Sequence, residues 1–165
     1  MSRKADSSVA EKSAPGLSAR LIDKFDAFLA TKTLKLTSQR REIIEKILAM
    51  PRHFTADDLV DSFVGQRPRV SKATIYRTLG LLHEAAVLEE HNFGEAHKLY
   101  EITEGREHHD HLSCTRCHKI IEFFSEEMEA MQDRIAAKLG FHPTHHSQKI
   151  YGLCRECWRE TQTKA

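Results

Sequence analysis

Four cysteines, placed as Cys114-x2-Cys117 and Cys154-x2-Cys157, constrain this chain more than any other feature. A C-x2-C pair on a tight turn aims two thiolates at one point, and two such pairs complete the tetrahedral sulfur shell that zinc prefers. The 36 residues from 118 to 153 exceed the spacing of a simple zinc ribbon. A strand, a helix and a second strand are expected between the pairs, with the metal fastening the end of that domain to its first knuckle. A site filled by four sulfurs has no open position for a reacting water and is structural. The alternative is a redox dithiol or a disulfide. One redox C-x2-C does not account for two, and an intracellular chain disfavours stable disulfides.

Histidine is also unevenly placed: nine of the 11 lie at or after His91. His108-His109-Asp110-His111 runs directly into the first cysteine pair. In extended backbone alternate residues point to opposite sides. His109 and His111 then share one side while His108 and Asp110 share the other, so one tetrapeptide can serve two metal sites. A solvated polar turn is the ordinary reading of a lone histidine, but four consecutive ligand types beside a cysteine pair weigh against it. Glu101, Glu122, Glu129 and His146 offer further donors, and such nitrogen–oxygen shells suit Fe(II), Mn(II) or Zn(II).

The first half carries a different pattern. Leu21, Ile22, Phe25, Phe28 and Leu29 recur at helical spacing in the stretch that begins at Ser18. Thr37 or Ser38 caps a second helix through Ala49 that buries Ile43, Ile44, Ile47 and Leu48, with Pro51 beyond its end. Thr55-x-x-Asp58 resembles a capping box and opens a third helix burying Leu59, Val60 and Phe63 before Gly65. Pro68 enforces an extended approach to a fourth helix, capped by Ser71 and running to about Ala85, whose inner face is Ile75, Leu79 and Leu82. From Val87 to Ile102 the pattern turns strand-like, broken by the turn signal Gly94-Glu95. Short helices followed by a β-hairpin make a winged helix-turn-helix.

Beyond Thr103 the reading is a ligand-dense loop from His108 to Cys117, then a strand over Ile120–Phe124. Ser125 caps a helix with Glu126 and Glu127 in its first turn, where the helix dipole favours carboxylates. That helix is expected to bury Met128, Met131, Ile135 and Leu139 and to end at Gly140, and a strand returns within His145–Leu153. The fold class is α+β: residues 1–16 a disordered tail, 17–92 the winged-helix domain, 93–98 a hinge and hairpin turn, and 99–165 a small α/β domain. The tail has no apolar core of a secretion signal and no stretch approaches the roughly 20 apolar residues of a membrane span, so a cytoplasmic, non-membrane protein is expected.

The formal net charge of +1 gives no hint of a nucleic-acid partner, but from Ser62 to His83 there are basic residues (Arg67, Arg69, Lys72, Arg77) and no carboxylate. In the major groove, where the last helix of such a module docks, Tyr76 offers a flat ring to a thymine methyl and Arg77 reaches phosphate or a guanine edge. Lys72, Arg67 and Arg69 are less specific phosphate candidates. Tyr76 as a half-buried core aromatic is the alternative.

Three segments together resemble the ferric uptake regulator family: Lys72-Ala-Thr-Ile-Tyr-Arg-Thr-Leu79, His91-Asn92-Phe93, and His108-His109-Asp110-His111-Leu112-x-Cys114-x2-Cys117. The likeness runs from about Leu17 to Trp158. It implies a metal-dependent transcriptional repressor in which the second domain is a dimerisation domain. It further implies a regulatory metal between the domains on His53, Glu101, His109, His111 and Glu122, and a second site on His108, Asp110, Glu129 and His146. Lys35 and Arg40 match family positions near the DNA backbone and minor groove. A homodimer on a palindromic site in double-stranded DNA follows, since one small module gives limited specificity, and the resemblance implies that the operator is AT-rich.

Peroxide sensors of this family place aspartate where this chain has Glu122 and often at Glu101, and zinc-uptake regulators often recruit a spare cysteine. Fe(II), controlling iron-uptake genes, is therefore the expected signal, with peroxide-, zinc- and manganese-responsive members as alternatives. A zinc enzyme is a remote alternative, because no H-E-x-x-H helix, phosphate-binding glycine loop or nucleophile motif accompanies the histidines. A metal-buffering protein without DNA binding is another.

Overall fold

The computed structural model describes residues 16–66, 69–93, 98–104 and 108–163. These form two compact units, one through residue 104 and one from residue 108. The expected tail, Arg67, Pro68 and the Gly94-Glu95 turn lie outside the described residues.

The first unit holds α1 (Leu17–Thr31), α2 (Ser38–Leu48), β1 (Phe54–Thr55), α3 (Ala56–Asp61), α4 (Lys72–Glu84), β2 (Leu88–His91) and β3 (Leu99–Ile102). Helical spacing buries Leu21, Phe25 and Leu29 of α1 against Ile43, Ile44 and Ile47 of α2 and Ile75, Leu79 and Leu82 of α4. Leu48 lies at the edge of that core and is only partly buried. The Thr37 and Ser71 side chains accept from the N–H groups of Arg40 and Thr74, satisfying donors that a helix start leaves open. The three strands form an antiparallel sheet in the order β1-β3-β2, with Glu89 opposite Glu101.

Two features differ from the sequence reading. β1 is too short for a period-two pattern to reveal. β3, assigned above to the second domain, is the partner of both β1 and β2 and belongs to the first unit. A hairpin cannot be divided at its turn without leaving a ladder of unpaired backbone groups.

Thr55 closes the capping box foreseen for α3: its hydroxyl accepts from Asp58 N–H at 3.0 Å, and Asp58 Oδ2 accepts from Thr55 N–H at 2.8 Å. Thr55→Ala is expected to cost about 1–2 kcal/mol, read as a lower urea midpoint for the first unit at unchanged slope.

The second unit contains β4 (Asp110–Cys114), β5 (Ile120–Phe123), α5 (Glu126–Lys138), β6 (Lys149–Gly152) and α6 (Arg155–Gln162). β4 is central, antiparallel to β5 and parallel to β6. The stretch read as a loop before Cys117 is therefore a sheet strand over Asp110–Cys114, with His108 and His109 on its approach. Ser125 caps α5 as expected, and Gly140 (φ +69°) follows its end in the left-handed conformation glycine tolerates. The expected burial of the α5 stripe does not occur: Met131 and Ile135 are each 53% exposed and Leu139 is 75% exposed. Met128 is half-buried. The stripe is real, but within one chain nothing described covers it. α6 was not foreseen, being short and beginning at the cysteine pair itself. No described helix is long and apolar enough to cross a membrane.

Candidate metal centres

The cysteine cluster is built by the ends of β4 and β6. Thr115 N–H donates to Gly152 C=O at 2.8 Å and Cys154 N–H donates to Cys114 Sγ at 3.3 Å, which brings the two knuckles together. All four sulfurs lie within 4.8 Å of one another, and Cys117 Sγ and Cys154 Sγ are 3.6 Å apart. A tetrahedral shell with zinc–sulfur bonds of about 2.3 Å requires sulfurs about 3.8 Å apart, so the spacing fits zinc and is far too long for a disulfide bond. Burial pushes the Cys114 thiol up, but backbone N–H groups of Cys117, Cys154 and Arg116 outweigh it and bring it to about 6. Burial and then the neighbouring sulfurs push Cys157 up to about 12. Four thiolates together need a cation among them, and a divalent ion supplies that charge. Arg116 ties the knuckle to the last helix by donating to Cys157 C=O at 3.2 Å and pairing with Glu160 at 3.0 Å.

β4 and its flank set out the histidines on two sides. His108 Nε2 lies 3.5 Å from Asp110 Oδ1 and 3.6 Å from Glu129 Oε1, and His146 Nε2 lies 3.2 Å from Glu129. His108, Asp110, Glu129 and His146 thus form one cluster with donors within 4.8 Å of each other. Asp110 is also fixed by Gln148 N–H, which donates to its Oδ1 at 3.1 Å. The rings of His109 and His111 stand edge to face, 5.0 Å between centroids, and His111 pairs across the sheet with Glu122.

In the first unit, His53 and Glu101 meet where the segment before β1 crosses β3. Glu101 is 2% exposed, and its Oε2 lies 3.1 Å from His53 Nε2. Two further residues, unassigned in the sequence reading, converge on it: Arg52 Nε lies 3.2 Å from Oε1 and His91 Nε2 3.5 Å from Oε2. Arg52 and Glu101 are 49 positions apart, so spacing gave no signal. His91 stood only in a family-like segment.

Lys72, Tyr76 and Arg77 are exposed on α4, opposite its buried face. Tyr76 is 48% exposed and is not among the residues of the hydrophobic core or those packed against it. Its hydroxyl donates to Asp57 Oδ1 at 3.1 Å, and that bond holds the phenol above its usual range. Lys35 is exposed, and Arg40 donates back to the Lys35 carbonyl, pinning the turn before α2. Arg69 is exposed as well.

The model of the ferric uptake regulator family matches residues 31–151, most of the chain. The chain belongs to the ferric uptake regulator family. It is 37% identical over 139 residues to the ferric uptake regulation protein of Campylobacter jejuni, covering 83% of this chain and 88% of that one. Among solved structures it is similar to the Helicobacter pylori ferric uptake regulator, described as having three functional metal-binding sites: TM-score 0.75, 26% identity, 86% of this chain and 93% of that one covered. It is also similar, at TM-score 0.53 and 25% identity, to a zinc uptake regulator complexed with zinc and DNA, covering 88% of this chain and 98% of that one.

Proposed function

We propose that this protein is a metal-dependent, DNA-binding transcriptional repressor that acts as a homodimer, responds to Fe(II) and controls iron-uptake genes. The observation that carries the reading is that one packed unit holds both a partly buried imidazole against a buried carboxylate, His53 and Glu101, and the exposed Lys72, Tyr76 and Arg77 face of α4. The four cysteines hold a structural Zn(II). The regulatory ion is held by His53, Glu101, His109, His111 and Glu122, and a second ion by His108, Asp110, Glu129 and His146. These are nitrogen and oxygen donors without sulfur, a set that suits Fe(II) and also accepts Mn(II) or Zn(II). With all four cysteines in one cluster and glutamate at 101 and 122, iron is favoured over zinc or peroxide as the signal.

When bound, the regulatory ion supplies positive charge to buried carboxylates. Metal binding orders the chain in advance, so less ordering cost remains when DNA binds. By linkage, DNA tightens metal binding by the same factor. The exposed Met131, Ile135 and Leu139 row on α5 supplies an apolar face for a second copy, and two modules read a palindromic, AT-rich operator.

Metal analysis of protein purified without chelators or added metal, with operator binding under Fe(II), Mn(II) and Zn(II) in turn, tests the identity of the signal. One zinc per chain on the cysteines with iron at the regulatory site is expected; zinc at the regulatory site as well would make this a zinc-responsive regulator. On α4, Tyr76→Ala should lower discrimination between operator and scrambled duplex by about 1–2 kcal/mol per half-site. Lys72→Ala should weaken both duplexes equally and reduce the salt slope by about 1 per half-site, or about 2 for the dimer.

A further inference from the structure

The two oxygens of Glu101 have different neighbours. Oε2 faces two imidazoles, His53 Nε2 at 3.1 Å and His91 Nε2 at 3.5 Å. Oε1 faces the Arg52 guanidinium, with Nε at 3.2 Å. The carboxylate is buried, whereas the Arg52 side chain is 39% exposed and reaches in from the surface. Arginine keeps its charge at any working pH and cannot ligate a metal. A buried carboxylate needs a compensating charge, and Arg52 provides one whether or not a metal is present.

We propose that Arg52 is a resident counter-cation of Glu101 that sets how tightly this protein holds its regulatory metal. Resting on the reading of Glu101 as a ligand, this has two parts. Arg52 engages Oε1, so Glu101 presents Oε2 to a metal as a single-oxygen ligand. Its fixed positive charge also stabilises the metal-free carboxylate and opposes a divalent cation placed beside it. Both effects weaken binding, which suits a sensor that must release its ion when supply falls. Arg52 is thus an affinity-setting residue that acts through Glu101 without touching the metal.

The test uses the full chain with zinc on its cysteines and with Glu129→Gln and His146→Ala to silence the second cluster. Co(II) alone is the probe, its affinity read by competition with a chromophoric chelator and its coordination by visible absorption. Because metal replaces the missing charge, Arg52→Gln is prepared with Co(II) present and titrated by withdrawal, which keeps a variant unstable without metal measurable. Arg52→Gln should bind Co(II) about tenfold tighter, at the low end of what outer-shell partners change. Its absorption should weaken toward that of a higher-coordinate ion as Glu101 contributes both oxygens. Arg52→Lys, keeping the charge, should stay within about twofold of the parent, while Glu101→Gln should bind far more weakly. Unchanged or weaker binding in Arg52→Gln, with Glu101→Gln still weak, overturns the role of Arg52 and leaves Glu101 as a ligand. Tightening in Arg52→Lys equal to that in Arg52→Gln overturns charge as the cause. Parent-like affinity in Glu101→Gln overturns the ligand reading itself and the proposal with it.

Discussion

Withdrawing the ion from the four-cysteine site, or replacing Cys117 with Ser, is expected to unfold residues 108–163 while residues 16–104 stay folded. The two units differ sharply in what else holds them. The first buries Phe25, Ile43, Leu59, Ile75, Leu79, Leu82 and many more apolar side chains in one core. In the second, the only hydrophobic side chains buried among the described residues are Cys114 and Cys157, and α5 buries none. A sheet of three short strands with so thin a core does not outweigh its ordering entropy. Structural zinc contributes about 10–16 kcal/mol of apparent binding free energy, and in such small domains binding and folding are one event. Residue-resolved hydrogen exchange with and without a strong zinc chelator checks this. Amide protection should collapse across β4, β5 and β6 and persist in α1, α2 and α4. Self-association should be lost with it, since the exposed α5 row belongs to the same unit.

His53→Ala is the second large effect. It should leave zinc content, fold and metal-free operator affinity unchanged, and abolish most of the gain in operator affinity that Fe(II) gives. Coupling energies of this kind run to about 1–3 kcal/mol, or roughly 5- to 150-fold in affinity, and His53 lies in the unit that carries α4. Its Nε2 sits 3.1 Å from Glu101, so the substitution removes one donor and loosens another. Fluorescence anisotropy on a labelled operator, paired with zinc analysis of the same sample, separates this from misfolding. A variant that loses zinc and helicity together would show that His53 has a structural role.

Local chemistry carried most of what could be read from the sequence. Ser71, Thr37, Thr55 and Ser125 cap the helices expected of them, because a cap is set by residues within one turn. The cysteine cluster was legible because pairs at fixed spacing have few other uses. The two-sided division of His108–His111 rests on the strand period of two, and of those four residues Asp110 and His111 lie in a strand.

What escaped was non-local. β1 pairs two residues with a strand over 40 positions away, and Arg52 reaches Glu101 across a similar gap. No pattern within a window of a dozen residues encodes either contact. The α5 stripe shows the opposite case: periodicity revealed an apolar face correctly but could not say whether this chain or another copy covers it. Asp57, the partner of Tyr76, was passed over because an aspartate in the first turn of a helix already has a sufficient local explanation.

The central claim is that metal occupancy and DNA binding are coupled in this chain. Operator affinity of the zinc-loaded dimer, measured anaerobically with saturating Fe(II) and again with Fe(II) withheld, tests it most directly. The account predicts affinity at least about fivefold tighter with Fe(II) on a palindromic AT-rich duplex, a gain lost in His53→Ala and absent on scrambled DNA. Equal affinity with and without the metal would contradict it.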